Sequence, residues 1–320
     1  MRSGSRSPLC FALVALLAAV SLRADTLALV HQQRYCMGTM FDIVVYHASR
    51  DEAKRAIAGA LAEIVRLDQV MSHYRADSNL STLHREGAKG FVAVDPSLYE
   101  VVEESLWFSR LSGGRFDVTI APLLTTWKEA ALEGRRPSEA ETSKATKCVG
   151  FEKIETRAPD RIRFSRDCVR LDLGGIGKGY AVDRALAVLA SNGIRHALVN
   201  AGGSSIGAIG APPGKTGWPV AVGAGTVLLL RDTSMSTSQQ NGEILDPRTG
   251  APVDNTMTVS VVTRRGSTAD ALSTTLLLVP IADAMKLLEQ LPDASAIWTS
   301  RDGAVRAVYG ESRLQRSPSP

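Results

Sequence analysis

The spacing of apolar positions changes period several times along the chain, and each change marks an expected element. In CMGTMFDIVVYH, Phe41, Ile43 and Val45 alternate with more polar neighbours, the period-two pattern of a half-buried strand. Ser49 and Glu52 then form a capping-box pair ahead of AKRAIAGALAEIVRLDQVMS, where Ile57, Leu61, Ile64 and Leu67 recur at helical spacing. This predicts a helix laid on a sheet. A second helix is expected from Pro96 to Leu111, stopped by Gly113-Gly114, and strands are expected within 149–173. Helical spacing returns over 180–192 with Gly193 as C-cap, followed by a strand in HALVN and a glycine-rich turn, GGSSIGAIG, from Gly202 to Gly210. Beyond it, VSVVT predicts a strand, STADALSTTLLLV a helix, 282–291 a further helix, and IWTSRDGAVRAVYG a closing hairpin turning at Asp302-Gly303.

Because strands and helices follow one another without strict β-α-β alternation, the expected class is α+β, with largely antiparallel sheet packed with helices. No internal repeat is visible. At 320 residues, 44% hydrophobic and 22% charged, the composition is that of an ordinary globular chain with enough apolar material for one large domain. The net charge of +4 is scattered, with few aromatics among the basic residues, which argues against nucleic acid as a partner.

The ends differ from the body. MRSGSRSPLCFALVALLAAVSLRADTLA has early arginines, an apolar run and small residues near Ala24, the order of a secretory signal peptide over 1–24. An uncleaved N-terminal anchor is the alternative, although the run is short for a membrane span. The domain is expected over 25–310, and the polar ESRLQRSPSP, 311–320, as a disordered tail. Of the four cysteines, Cys10 lies within the leader, and no pair has metal-site spacing. Cys148 and Cys168 flank two short β-like runs around the turn APD, which brings them nearly opposite each other: they form either a disulfide, which an oxidising compartment permits, or two separately buried thiols.

Five stretches could carry chemistry. LDLGGIGKGYAVDRA, Leu171 to Ala185, has glycines between an apolar run and a helix, but it fits neither the Walker pattern nor the dinucleotide fingerprint. What remains is either a tight strand-to-helix turn or a loop whose backbone approaches an anion closely. In ADALSTT, Asp270 and Thr274 stand four apart on one helix face; they are hard oxygen donors suited to half a magnesium site, or else a dipole-favoured carboxylate and a back-bonded threonine. GGRFDVTIAPLLTTW places Asp117 behind a double glycine, where it either serves a ligand or caps a turn. MSHYRADSNLSTLH offers Tyr74 for stacking or for packing, and EILDPRTG is a proline-fixed turn.

Taken together and in this order, with Met37-Gly38-Thr39 ahead of them, these stretches resemble the ApbE-like FAD:protein FMN transferases from Met37 to about Leu278. The resemblance implies an ApbE-like, T-fold-like architecture. It also implies a Mg²⁺-dependent enzyme that breaks the FAD pyrophosphate, joins FMN through a phosphoester to a threonine of an exported target protein, and releases AMP. It further implies partners in membrane or exported redox systems and peripheral association with the inner membrane, while the signal-peptide pattern itself predicts export to the periplasm. Carried over by position, Met37, Tyr74, Arg115, Phe116, Asp117, Gly174, Lys178, Tyr180 and Ile244 would contact FAD. The metal would be held by the carbonyl of Gly177 and the side chains of Asp270 and Thr274.

Three departures accompany the match. Gly177 replaces an alanine, without consequence for a main-chain donor. Glu243 replaces the histidine that would serve as general base, and a solvated carboxylate is a weaker base at neutral pH. The STSQQNGEILDPRTG segment is also trimmed, with Gln239 where glycine is expected. Hydrolysis of FAD to FMN and AMP, or FAD binding without catalysis, therefore stands beside transfer as an alternative.

Overall fold

The computed structural model describes residues 27–223, 225–240, 244–253 and 256–316. The expected signal peptide over 1–24 and Glu243 lie outside the described residues. The chain opens with a hairpin of β1 (Ala28–Cys36) and β2 (Thr39–His47), joined through Met37 and Gly38, both at positive φ as a two-residue hairpin turn requires. Helix α1 (Arg50–Met71) starts at the Ser49 cap, whose hydroxyl accepts from Glu52 N–H. Then come α2 (Asn79–Glu86), β3 (Val92–Ala93) and α3 (Pro96–Leu111), the last with the boundaries its sequence predicts. Next are α4 (Ala121–Leu132), α5 (Glu139–Thr146) and the hairpin β4 (Ile154–Arg157) and β5 (Arg161–Phe164). The glycine loop leads into α6 (Gly177–Ser191), followed by β6 (Ala197–Ala201), β7 (Ser205–Ile209), β8 (Trp218–Val222), β9 (Thr226–Leu230) and β10 (Ser234–Gln239). The remainder is β11 (Leu245–Asp246), β12 (Ala251–Pro252), β13 (Thr258–Thr263), α7 (Gly266–Leu277), α8 (Ile281–Leu288), β14 (Ser295–Thr299) and β15 (Val305–Tyr309).

An eight-stranded, wholly antiparallel sheet in the order β1-β2-β6-β7-β10-β13-β14-β15 organises these elements, as the α+β expectation requires. The period-two pattern of β2 explains how it has two covered faces. Phe41, Ile43 and Val45 point into the main core with Ile57, Ile64 and Leu67 of α1, where α6 and α7 also pack. Val44 and Tyr46 point the other way, toward Trp218, Val220, Leu228 and Leu230 of the β8–β9 hairpin, which covers that face. Both faces are therefore shielded although the strands are antiparallel.

Several expectations need correction. GGSSIGAIG is not only a turn: after Gly202 and Gly203, Ser205–Ile209 is a strand buried between β6 and β10. STSQQ, read as part of a trimmed loop, largely belongs to β10 in the middle of the sheet. Within 149–173 only β4 and β5 are strand, and α6 begins at Gly177 instead of 180. The tail is docked as far as Arg316: Leu229 N–H donates to Gln315 at 2.7 Å, and Leu228 bridges Arg316, so backbone pairing with an open edge orders a stretch that is polar in sequence. The cysteine alternative resolves as a Cys148–Cys168 disulfide across the β4–β5 hairpin, leaving Cys36 buried and free among the described residues.

His84 of α2 fixes the start of the glycine loop, since its Nε2 accepts the Leu171 N–H at 2.9 Å. Burial, with smaller help from the positive charge of Arg170, pushes its pKa down to about 4. The native state thus binds this proton less readily than the unfolded chain, so the stabilisation is complete above pH 6.5 and is lost as pH falls toward 4. Urea unfolding at pH 7 and pH 5 should show a loss of about 2 kcal/mol from this group. In His84→Gln that part of the pH dependence should vanish; an unchanged slope would assign it elsewhere.

Candidate functional site

The glycine loop is held from below. Asp172 N–H donates to the Val118 carbonyl at 2.7 Å, and the Asp172 carboxylate accepts the Gly174 N–H at 2.7 Å, which turns the chain sharply before α6. Val118 is placed in turn by Asp117, whose Oδ1 accepts from the Thr119 N–H and hydroxyl and whose Oδ2 accepts from Phe151 N–H at 2.7 Å. Asp117 is buried, and its carboxylate is engaged in binding its own chain, the turn-capping alternative for this residue. Phe116 lies directly under the loop: a Cβ on Gly175 would sit 3.2 Å from its ring.

Helix α7 meets α6 at two glycines. A side chain on Gly179 would overlap the Gly266 carbonyl, and one on Gly266 would come within 2.6 Å of the Gly179 carbonyl, so only glycine permits this approach. The contact brings Asp270 onto the first turn of α6, where its Oδ2 accepts the Gly179 N–H at 2.9 Å. One turn further along α7, Thr274 reaches the loop itself, its Oγ1 3.3 Å from the position of a Cβ on Gly175. Gly177 lies between these two contact points on the chain. The Met37 methyl, carried by the β1–β2 turn, comes within 3.7 Å of the position of a Cβ on Gly177.

Strand β10 supplies the other side. Its alternate residues toward α7 are serines where a buried strand would ordinarily place apolar side chains. Ser236 Oγ lies 3.0 Å from Asp270 Oδ1 and 2.8 Å from the Ser204 carbonyl, with Ser205 Oγ at 3.2 Å. Ser238 Oγ lies 2.8 Å from Ser273 and 3.2 Å from Thr274 Oγ1. These serines carry no motif of their own, so reading the sequence for motifs passed over them. Their signal is the polar alternation of SMSTSQ, which a strand assignment would have exposed.

Other expected residues lie differently. Lys178 stretches back to the Gly174 carbonyl at 3.1 Å, along the loop. Tyr180 is buried, its hydroxyl donating to Glu100 of α3 at 2.7 Å, so it locks α6 in place. Arg115 is half-buried, its guanidinium 3.5 Å from the Leu278 carbonyl; against the opposing effect of burial, the Asp246 carboxyl is held below its usual range by Arg248, with a smaller contribution from Arg115. Ile244 is half-buried against the main core and hydrogen-bonded to the Gln240 side chain. Tyr74 is 81% exposed beside His73, and no contact joins it to the loop.

Burial pushes the Asp270 carboxyl above the usual carboxylate range, while Lys178, the Gly179 N–H and the Ser236 hydroxyl act in the opposite direction. No cation stands within ion-pair distance of Asp270 among the described residues. A buried carboxylate with hydroxyl neighbours and no paired charge is costly to keep ionised, and a divalent ion would remove that cost. Among the described residues no three His, Cys, Asp or Glu converge as a metal cage. One carboxylate, one hydroxyl and a carbonyl instead fit magnesium, which completes its shell with water and substrate phosphates.

The sequence profile of the ApbE family matches residues 37–298. A protein of Treponema pallidum (strain Nichols) named FAD:protein FMN transferase is 28% identical over 312 residues, 86% of this chain and 85% of its own. One of the same name from Vibrio cholerae is 27% identical over 294 residues, 82% and 86%. Among solved structures, the apo flavinyl transferase ApbE of Pseudomonas stutzeri superposes with a TM-score of 0.81 at 25% identity, covering 91% of this chain and 98% of its own. The ApbE protein of Thermotoga maritima gives 0.77 at 27% identity, covering 91% and 100%.

Ser236 is fully buried and holds Asp270 from the sheet side. Ser236→Ala should leave a buried carboxylate oxygen short of a partner and cost about 1–3 kcal/mol of stability, read by chemical denaturation in the absence of metal. Loss below about 0.5 kcal/mol would show that Ser205, whose hydroxyl also favours the ionised Asp270, satisfies that oxygen alone.

Proposed function

The chain belongs to the ApbE family, and from that membership and the α6–α7 crossing we propose that it is a Mg²⁺-dependent FAD:protein FMN transferase acting on a threonine of an exported protein. The observation that carries the reading is Asp270: a buried carboxylate, unpaired by any cation among the described residues, set against the first turn behind a glycine loop.

The chain's own residues divide the work. Glycines 174 and 175 let the backbone approach the FAD pyrophosphate, and Lys178, which now rests on the Gly174 carbonyl, supplies a mobile positive charge beside it. Met37 and Phe116 give the loop apolar neighbours, and Asp117 fixes the segment on which Phe116 rides. Gly177, Asp270 and Thr274 would hold magnesium, which when bound would offset the negative charge that builds on the phosphate oxygens during transfer. The acceptor hydroxyl oxygen attacks the flavin-side phosphorus and its proton passes to the Glu243 carboxylate. The bond from that phosphorus to the bridging oxygen breaks, and AMP leaves with the electron pair. Export to an oxidising compartment, probed by the leader's order, is supported by the Cys148–Cys168 disulfide. The carboxylate in place of the family histidine favours a second reading in which water takes the acceptor's place and the products are FMN and AMP.

Incubation of the mature chain with FAD, Mg²⁺ and a threonine-bearing acceptor should release AMP and add the mass of FMN to the acceptor. AMP without acceptor labelling would favour hydrolysis; neither product, with FAD still bound, would leave a binding protein. Asp270→Asn should cost several kcal/mol of transition-state stabilisation at low Mg²⁺ while leaving the chain folded. Glu243→Gln should lower transfer by about 10²–10⁴-fold, and Glu243→His should restore it. Unchanged transfer in Glu243→Gln would place the base elsewhere.

A further inference from the structure

Helix α7 has no cap of its own. Its N-cap residue is Arg265, whose side chain accepts nothing from the first turn. Orphan N–H groups at a buried helix start need acceptors. They find them on another helix: Asp183 of α6 accepts the Gly266 N–H through Oδ1 at 2.5 Å and the Ser267 N–H through Oδ2 at 3.0 Å. The Ser267 hydroxyl, 3.0 Å from the same carboxylate oxygen and 2.8 Å from Glu104, strengthens the junction. Arg265 balances the charge, 2.9 Å from Glu104 and 3.9 Å from Asp183. The Asp183 side chain is only 18% exposed, so few waters compete.

We infer that Asp183 is a positioning residue for Asp270 and Thr274, fixing the first turn of α7 on α6 so that their oxygens stand at the Gly177 end of the loop. The contact is reciprocal. Asp270 on α7 takes an N–H of α6, and Asp183 on α6 takes two N–H groups of α7. Between these carboxylates lies the Gly179–Gly266 approach, which has no side chain to set register by interlocking. Two bare backbones can slide or tilt, and the directional hydrogen bonds at Asp183 remove that freedom. Asp270 lies one turn beyond the clamped residues and Thr274 two, close enough for a tilt of the first turn to displace both.

This inference rests on the metal reading of Asp270 and Thr274, and the test separates the two. Mn²⁺, a paramagnetic stand-in for magnesium, is titrated into the folded full-length chain and its free fraction followed by electron paramagnetic resonance. Circular dichroism at the same temperature confirms that each variant is folded. D183A should bind Mn²⁺ about 10–100-fold more weakly, the usual consequence of removing the support of a metal ligand. D183N, which keeps one acceptor oxygen, should fall between D183A and the wild type. D270N should bind least. Wild-type Mn²⁺ affinity in D270N overturns the metal reading itself. Loss of affinity in D270N, with wild-type affinity in folded D183A, overturns the positioning role alone and leaves Asp183 as a stability element. Should D183A fail to fold, D183N decides, and wild-type affinity there overturns the inference.

Discussion

The contact between Gly179 and Gly266 is the constraint on which the rest of the site depends. It lets two helices approach until backbone meets backbone, closer than any side chain would allow. Only at that separation can a residue as short as aspartate span from α7 to an N–H of α6. Widening the crossing by the thickness of a methyl group would break the Asp270–Gly179 hydrogen bond and draw Thr274 away from Gly175. The glycines in GKGYAVD therefore have distinct tasks. Gly174 and Gly175 shape the loop, while Gly179 is a packing residue inside the helix, where glycine otherwise costs about 0.5–1 kcal/mol relative to alanine.

Close approach creates a second problem, a carboxylate buried under the loop, and the sheet answers it. β10 runs between β7 and β13 beneath α7, where an apolar face would contribute most to the core. It presents Ser234, Ser236 and Ser238 instead, two of them in hydrogen bonds to the oxygens of Asp270 and Thr274. The hydrophobic contribution given up there is offset by the dense packing elsewhere of α1, α6 and the β8–β9 hairpin. A local departure from the apolar pattern, compensated by consistent patterning around it, is the expected signature of a functional position.

How far the sequence could be read follows the same division. Elements with a strong period and explicit stops were legible: β2 through Phe41, Ile43 and Val45, α1 through its Ser49 cap, and α3 between Pro96 and the double glycine. β1 was not, because as an edge strand it buries only Val30 and Cys36 and shows no alternation. β7 and β10 were hidden by composition, glycine and serine being turn formers until tertiary packing decides otherwise. In the site, the resemblance singled out Asp270, Thr274 and the loop, which the fold brings together. It could not show that Asp117 and Tyr180 face inward to bind Phe151 and Glu100, nor that Asp183 and Ser236 hold helix α7, since those roles depend on contacts between distant segments.

The trimmed segment after β10 departs most from the family pattern, yet the described residues on both sides of it are firmly tied. Gln240 reaches across the segment: its amide nitrogen donates to the Ile244 carbonyl at 2.9 Å and the Val253 carbonyl at 2.7 Å, while its oxygen accepts the Ile244 N–H at 3.3 Å. Further on, Asp246 accepts the Arg248 N–H and pairs with its guanidinium, and Trp127 of α4 donates to the Gly250 carbonyl at 2.7 Å. Gly250, at positive φ, packs so tightly on Thr142 of α5 that a side chain there would collide. The Gln240 side chain thus ties the described residues on the two sides of the segment together, and α4 and α5 brace the Asp246–Gly250 turn from outside. The Asp246–Gly250 turn and the glycine loop consequently rest on separate supports, the one on α4 and α5, the other on the α6–α7–β10 junction. A change in the length or composition of the segment after β10 can then occur without disturbing the Gly179–Gly266 crossing, because among the described residues none of the hydrogen bonds that hold Asp270 and Thr274 comes from that turn.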